Sequence, residues 1–364
     1  MTNDSPPQTT SHEDQSVQTK LALAALLVPV FFVIGFAVCI IGTYHKPHPH
    51  NITLGIVGPP AQTAPLRGDI QKAAGSAFRI SSVSTVAAAT HDVRQRDLNA
   101  AFVPTPSPQR PATVIVASAN GRIVATAAET LAQAVTAHQG AQLAVREVRP
   151  LAPGDELGLG VFMFMIVCTI CGYIAVSLIY TAAPALDARR LYPMIAGIAL
   201  LVPTVAYLIG GLGYGVYKGS VGTILAFIGV AVLYTFVIGL ITRLFQVLIG
   251  PLALFVSLGI FVFLNIPSLG ATYTAPVLPA FWRFMNHFWI GAETVNAQRS
   301  LLYFDGEGVG TDLLRLLAWT AVIVALLALP VSRKLAHQRM DPTEPATSTP
   351  PPRPLSADVM EGAR

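Results

Sequence analysis

The sequence contains few charged residues, and this scarcity excludes an ordinary soluble protein. Only 12% of its 364 residues are charged and 53% are hydrophobic, with a mean hydropathy of +0.58. Soluble domains usually carry about 25% charged residues, so much of this chain must lie in a solvent other than water. The net charge of +4 is small, and no stretch interleaves basic with aromatic side chains, so nucleic acid is not expected as a partner.

Cysteine is also scarce, and its positions exclude a disulfide framework in the polar part of the chain. The three cysteines are Cys39, Cys168 and Cys171, and each lies within an apolar run. Cys168 and Cys171 form a C-x-x-C pair. On a membrane helix, however, two residues three apart are simply neighbours on one face, so we interpret them as packing residues. The sequence predicts no metal site and no cofactor.

The motifs of common enzyme classes are missing. There is no G-x-x-x-x-G-K-[ST] loop to hold nucleotide phosphates, and no nucleophile elbow or metal-ligand spacing organises the polar residues. His45, His48 and His50 crowd together, but two prolines keep that segment extended and no acidic residue or cysteine lies beside it. This pattern favours a stalk over a metal site. We therefore predict that the chain is not an enzyme and has no catalytic residues.

Long apolar runs, by contrast, are abundant. A transmembrane helix needs about 20 apolar residues, and such runs occur at residues 21–43, 157–182, 191–213, 221–241, 248–264 and 313–331. The sequence predicts an all-α membrane protein with six transmembrane helices, one at 20–43 and five within 157–332. None of the runs has a charged residue near its middle, which argues against the buried relays of ion-coupled carriers. Energy for any transport would then come from another chain.

Basic residues near the ends of the runs predict the orientation, because Lys and Arg are retained in cytoplasmic loops. If the N-terminus is inside, the cytoplasmic segments contain Lys20, Arg189, Arg190, Arg243, Arg333, Lys334 and Arg339. Both termini are therefore predicted to be cytoplasmic, with the chain in a bacterial cell membrane. Residues 1–19 and 333–364 are rich in proline and small polar residues and are predicted to be disordered tails.

Residues 44–156, between the first and second apolar runs, differ in kind. Short β-like runs alternate there with helical stretches, one of them opened by Thr90 as N-cap. The predicted strands lie at 52–57, 80–84, 101–103, 113–117 and 143–148, and the other predicted helices at 65–78 and 123–138. Alternating strands and helices imply a small α/β layer. We predict an inserted extracytoplasmic α/β domain.

Residues 265–312 are too long for a simple connection and too apolar for a free loop. The segment contains the aromatic stretch 281–289 followed by polar residues, including Glu293 and Arg299. Aromatic residues favour the membrane interface, so the segment is predicted to be a re-entrant or interfacial hairpin on the outer side. Glu293 and Arg299 would form a buried pair or line an exit path. The alternative is an interfacial helix that binds no ligand.

Four motifs lie at residues 150–158, 265–270, 278–282 and 299–306, and the first matches a P-L-x-x-x-D-x-x-G pattern through Pro150, Leu151, Asp155 and Gly158. Together they resemble the ABC type-2 permease superfamily, in particular the branch similar to the phage-infection protein (Pip) group. The resemblance implies one span, a large outer domain and five further spans.

This resemblance also implies roles for individual residues. The substrate path would contain Asn265, Ser268, Glu293, Arg299 and Tyr303. A separate ABC ATPase subunit would power export and contact Asp187, Arg189, Arg190 and Arg243, and the permease would be a homodimer. The alternative is a membrane receptor or envelope scaffold that transports nothing and whose outer domain binds a partner.

Overall fold

The computed structural model describes residues 12–105 and 110–329. Long helices and one small mixed sheet make up the described part of the chain. The first helix, α1 (His12–Gly35), continues through a π-helical turn (Phe36–Ile41) into α2 (Gly42–Tyr44). The helix thus begins eight residues before Lys20, and residues 12–19 are helical although the sequence suggested a disordered tail. The rest of that predicted tail lies outside the described residues.

The α/β domain follows. Its strands are β1 (Ile52–Val57), β2 (Phe78–Val83), β3 (Ala100–Val103), β4 (Ala112–Val116) and β5 (Leu143–Glu147), and its helices are α3 (Pro60–Ala74), α4 (Val86–Arg94) and α5 (Arg122–His138). The sheet order is β2-β1-β3-β4-β5. The β3–β4 pair is antiparallel and the other pairs are parallel. This small mixed α/β layer confirms the predicted class of the segment.

Apolar side chains on both faces of the sheet explain the layering of this domain. Alternate residues of the central strands point to opposite faces. Leu54 and Phe102 join α5 in one cluster, and Val57 and Ala101 join α4 in another. The prediction of Thr90 as an N-cap is wrong. Thr85 has extended backbone, and its side chain accepts the N–H of Ala88, so α4 begins one turn earlier.

After the domain, the chain forms long apolar helices. These are α6 (Gly160–Ala182), α7 (Ala188–Tyr207, continued by a π-helical turn at Leu208–Gly213), α8 (Val221–Ile249) and α13 (Val309–Ala328). Among the described residues, five helical segments are long and apolar enough to cross a membrane, and Leu26–Tyr44 is the first of them. The fourth of these segments, Val221–Ser268, comprises 48 residues. The end of the sixth predicted run and the tail at 333–364 lie outside the described residues.

The 48-residue segment reverses direction at Gly250. That glycine ends α8 with φ 60°, ψ −128°, a conformation that side chains disfavour. A short turn (Gly250–Leu252) then leads into α9 (Ala253–Leu258), a π-helical stretch (Gly259–Asn265) and α10 (Ile266–Ser268). The side-chain amide of Asn265 donates to the Tyr234 hydroxyl at 2.8 Å. Since both residues lie about 15 positions from Gly250, the two arms of the segment run side by side.

The remaining segment forms a second reversal. Residues 271–279 run past Tyr44, whose ring contacts Tyr273 with 5.2 Å between centroids. The chain then returns through α11 (Ala280–Asn286), where the Asn286 amide donates to the Ser268 carbonyl at 2.8 Å. Helix α12 (Ile290–Tyr303) follows and packs against α6, α8 and α13. A hairpin is therefore present in the predicted segment, with α12 inside the helix bundle.

Candidate functional site around helix α12

Helix α12 brings polar side chains into an otherwise apolar bundle. Its buried polar residues, each at most 8% exposed, are Glu293, Thr294, Gln298, Arg299 and Ser300. The surrounding core cluster is formed by residues such as Phe227, Ile238 and Phe261. Burial of polar groups is costly unless they are hydrogen-bonded. A polar helix at this position therefore calls for a specific explanation.

The N-terminal end of α12 lies halfway along its neighbours. The Trp319 indole, in the middle of α13, donates to the carbonyl of Phe288 at 3.0 Å. Gly291 lies so close to α10 that a Cβ atom there would be 2.2 Å from Asn265 Oδ1 and 2.5 Å from Leu269. Only glycine fits without rearrangement. Helix α12, with 14 residues, is shorter than the helices against which it packs, which have 20 to 29 residues.

Asn265, one of the predicted path residues, belongs to a buried chain of hydroxyl and amide groups. Tyr234 receives the hydrogen bond of Asn265 and shares another, at 2.7 Å, with the Thr169 hydroxyl. Ser268 behaves differently, because its hydroxyl donates to the carbonyls of Leu264 and Asn265 at 2.9 and 3.0 Å. Asn265 thus has a side-chain partner on another helix, Tyr234 of α8, whereas the Ser268 hydroxyl bonds only to backbone carbonyls of its own helical segment.

Several buried polar atoms near these hydrogen-bonded side chains have no hydrogen-bond partner within the described part of the protein. Gln298 is fully buried, and both its amide oxygen and its amide nitrogen are unpaired. The others in the bundle are Thr235 Oγ1, Gln246 Oε1, Ser257 Oγ, Asn265 Oδ1 and Trp289 Nε1. Native proteins leave few such atoms unpaired. Together they form a set of unused donors and acceptors in the interior of the bundle.

Glu293 and Arg299 are not paired with each other, so the predicted buried pair is wrong. Glu293 instead accepts two hydrogen bonds from Arg315 Nη1 of α13, at 3.0 and 3.2 Å. Glu293 is 1% exposed. The six-residue spacing on α12 directs the two side chains to different neighbours.

Arg299 is a buried cation without a carboxylate partner in the described residues. Its Nη2 donates to the carbonyls of Gly270 and Ala271, at 3.2 and 2.5 Å. Two backbone carbonyls supply partial negative charge only. The full positive charge of Arg299 is thus not balanced by a neighbouring acid.

A small cavity adjoins Arg299 where the α/β domain, the 150–158 loop and α12 meet. Its volume is about 20 Å³, and it is lined by Ser118, Ala119, Gly121, Arg122, Leu151, Asp155, Leu157, Gly158, Val161, Ala271, Thr272, Arg299 and Tyr303. Two predicted path residues, Arg299 and Tyr303, therefore line the same cavity. Burial raises the pKa of Tyr303 to about 12, so its hydroxyl remains protonated near neutral pH.

Asp155, from the P-L-x-x-x-D-x-x-G motif, has a structural role at this cavity. Its Oδ1 accepts the backbone N–H groups of Leu159 and Gly160, at 2.8 and 2.9 Å. These groups belong to the beginning of α6, where carboxylates are favoured by unpaired N–H groups and the helix dipole. Burial raises the Asp155 pKa, and these hydrogen bonds oppose the increase. Gly158, with φ 68°, provides the turn into the helix.

Two arginines of the α/β side hold the C-terminal end of α12, and neither was anticipated from the sequence. Arg96 donates to Ser300 Oγ at 2.7 Å and to the Glu307 carbonyl at 3.0 Å. Its guanidinium lies 4.7 Å from the centre of the Phe304 ring. Arg149 lies 5.9 Å from the same ring and pairs with Asp305 at 2.5 Å. These hydrogen bonds join residues 156 to 211 positions apart, beyond the reach of local patterns.

The residues predicted to contact an ATPase fall into two groups. Asp187, Arg189 and Arg190 are exposed at the start of α7. Arg243 is only 8% exposed within α8 and interacts electrostatically with the hydroxyl groups of Tyr180 and Tyr192. The prediction of Arg243 as a surface contact is therefore wrong. A basic residue near the end of an apolar run can equally turn inward towards neighbouring helices.

The apolar helices and the mixed sheet define a membrane-embedded helical protein that carries a small α/β domain. No family model matches the chain, and neither a curated protein nor a solved structure matches it.

Proposed function

We propose that the chain is the membrane-spanning subunit of an exporter similar to ABC type-2 permeases. The observation that carries this proposal is the short helix α12, whose buried polar side chains lie among apolar helices. Interrupted helices at membrane depth occur where protein or a water-filled path shields them. Such polar groups are costly to keep in a bundle that needs only to be stable.

In this proposal the chain crosses the membrane six times. The reversal at Gly250 divides the 48-residue segment into two crossings. The α/β domain lies outside the cytoplasm, and both termini lie inside. Helix α12 then runs from mid-membrane to the outer surface.

The proposed substrate path follows the buried polar atoms. Asn265, Glu293 and Gln298 line its membrane part, and Arg299 and Tyr303 lie at its outer end. The unpaired amide of Gln298 would exchange hydrogen bonds with a polar group of the substrate. Ser268 has a positioning role, because its hydroxyl is bonded to the backbone of its own helix.

Energy would come from a separate ABC ATPase, because the sequence contains no phosphate-binding loop of its own. Its contact surface would be the exposed turn with Asp187, Arg189 and Arg190. Arg243 is excluded from that surface by its burial. The permease would act as a homodimer, so one ATPase pair would serve two copies.

Site-specific crosslinking in native membranes tests this proposal. A photo-crosslinking amino acid is placed at Arg189, and the matched control carries it at Arg79, an exposed arginine of β2. We expect an adduct with an ATPase chain from position 189 and none from position 79. Repeated absence of an ATPase among the adducts from position 189 would overturn the proposal.

A second candidate function is a receptor or envelope scaffold whose α/β domain binds an anionic partner. It is favoured by an open cleft of about 440 Å³ lined by Val86, Ala87, Thr90, His91, Arg94 and Arg146. Charge reversal by Arg94→Glu and Arg146→Glu should abolish partner capture while leaving export intact if both functions exist. Unchanged capture by this double variant would rule out the cleft as the binding surface.

A further inference from the structure

We propose that the cavity beside Arg299 binds one monovalent anion of the size of chloride. The inference is independent of transport, and its first support is the unbalanced charge of Arg299. The side chain is 8% exposed and bonds only to the carbonyls of Gly270 and Ala271 among the described residues. Burial of an unpaired charge is so costly that buried ions in proteins are normally compensated.

The carboxylates of this region already have other partners. Asp155 receives two N–H groups of α6, Glu293 is paired with Arg315, and Asp305 is paired with Arg149. Glu147 accepts hydrogen bonds from the Ser118 hydroxyl and backbone N–H. None of these acids forms an ion pair with Arg299, and Asp155 is the only one of them that lines the cavity. Its single negative charge stands against two arginines of the wall, Arg299 and Arg122, so one positive charge is left for a ligand from outside the described chain.

The cavity wall supplies hydrogen-bond donors from three parts of the fold. Besides Arg299, it contains Arg122 of α5, whose Nη1 lies 3.3 Å from Ser118 Oγ, and Thr272 of the hairpin. The Thr272 hydroxyl is buried and has no partner among the described residues. The lining residues thus include two arginines and one free hydroxyl but only one acid, Asp155. The net charge of the wall is positive, which favours an anion over a cation.

The size of the cavity limits the ligand to a single small ion. A volume of about 20 Å³ exceeds the 10–15 Å³ or so that one water molecule requires. It is too small for a phosphate group or an organic carboxylate. A halide therefore fits in both charge and size. Bound there, it would connect α5 of the α/β domain, the 150–158 loop and α12.

The test uses the full chain in lipid nanodiscs and compares sodium chloride with sodium gluconate at constant ionic strength. We expect chloride to raise the unfolding temperature saturably, by about 5 °C when it exceeds its dissociation constant 100-fold. Arg299→Gln should remove this dependence, and the matched control Arg79→Gln, at an exposed arginine of β2, should retain it. Equal unfolding temperatures of the wild type in the two salts would overturn the proposal.

Two further measurements keep the test decisive if Arg299→Gln does not fold. Thr272→Val removes a single donor and should weaken chloride binding several-fold in the folded protein. Anomalous diffraction from crystals grown in bromide should place a peak between Arg299 and Thr272. The proposal would be overturned if the chloride dependence is unchanged in Thr272→Val, or if the cavity contains no bromide in those crystals. Either result would show that the positive charge of Arg299 is balanced in another way.

Discussion

The α/β domain and the helix bundle differ in how many buried polar groups they leave unpaired. Within the described part of residues 44–156, only Arg149 has a buried side-chain polar atom, its Nε, without a hydrogen-bond partner, whereas six residues of the bundle carry such atoms. In the domain, for example, the buried Thr136 hydroxyl donates to the carbonyls of Ala132 and Gln133 at 3.0 Å. The difference suggests that the domain is optimised for stability and the bundle for interaction with something polar.

The largest effect should follow from a cavity in the α/β domain. Phe102 in the central strand β3 is 1% exposed, so Phe102→Ala should lower the free energy of unfolding of the domain by about 3–5 kcal/mol. Proteolysis of the full chain across a denaturant series measures this loss. Val145→Ala is the matched control, because Val145 is 53% exposed and should change stability by less than about 0.5 kcal/mol. Equal losses would contradict a tightly packed sheet core.

In the bundle, the largest effect should come from crowding at the start of α12. Gly291→Ala would place a methyl group against Asn265 and Leu269 and should destabilise the protein by about 1–3 kcal/mol. Gly229→Ala in α8 is the control, since nothing lies within 4 Å of its added methyl group. Alanine should stabilise that helix by up to about 1 kcal/mol. Thermal unfolding in nanodiscs compares the two variants, and stabilisation by both would contradict the close contact of α12 with α10.

Local patterns predict much of the fold, because they depend on neighbouring residues. The apolar runs gave the long helices, and alternating short runs gave all five strands within a few residues of their bounds. The contacts of the candidate site depend on distant residues instead. Thr85 and Thr90 are equally suitable as the N-cap of α4, so the sequence alone does not distinguish them. Likewise, Arg243 could face a loop or the bundle. The bond between Arg96 and Ser300 depends on how two separate parts of the chain dock.

Substitution of Gln298 should cause the smallest change in stability. It tests most directly whether the bundle and the α/β domain differ in how they satisfy buried polar groups. Gln298→Leu replaces two unpaired buried polar atoms by apolar ones of similar volume, so stability should change by less than about 1 kcal/mol or increase. The matched variant in the α/β domain is Thr136→Val. It removes a paired hydroxyl and should cost about 1 kcal/mol.

Thermal unfolding measures the stability of the two variants, and an export assay measures the transport activity of Gln298→Leu. If the proposed path is correct, export falls although the protein is as stable as the wild type. If Gln298→Leu instead costs as much stability as Thr136→Val, the amide has a partner in the folded protein, such as a buried water. The two regions would then follow the same rule for buried polar groups, and the bundle would lose its main indication of a polar path.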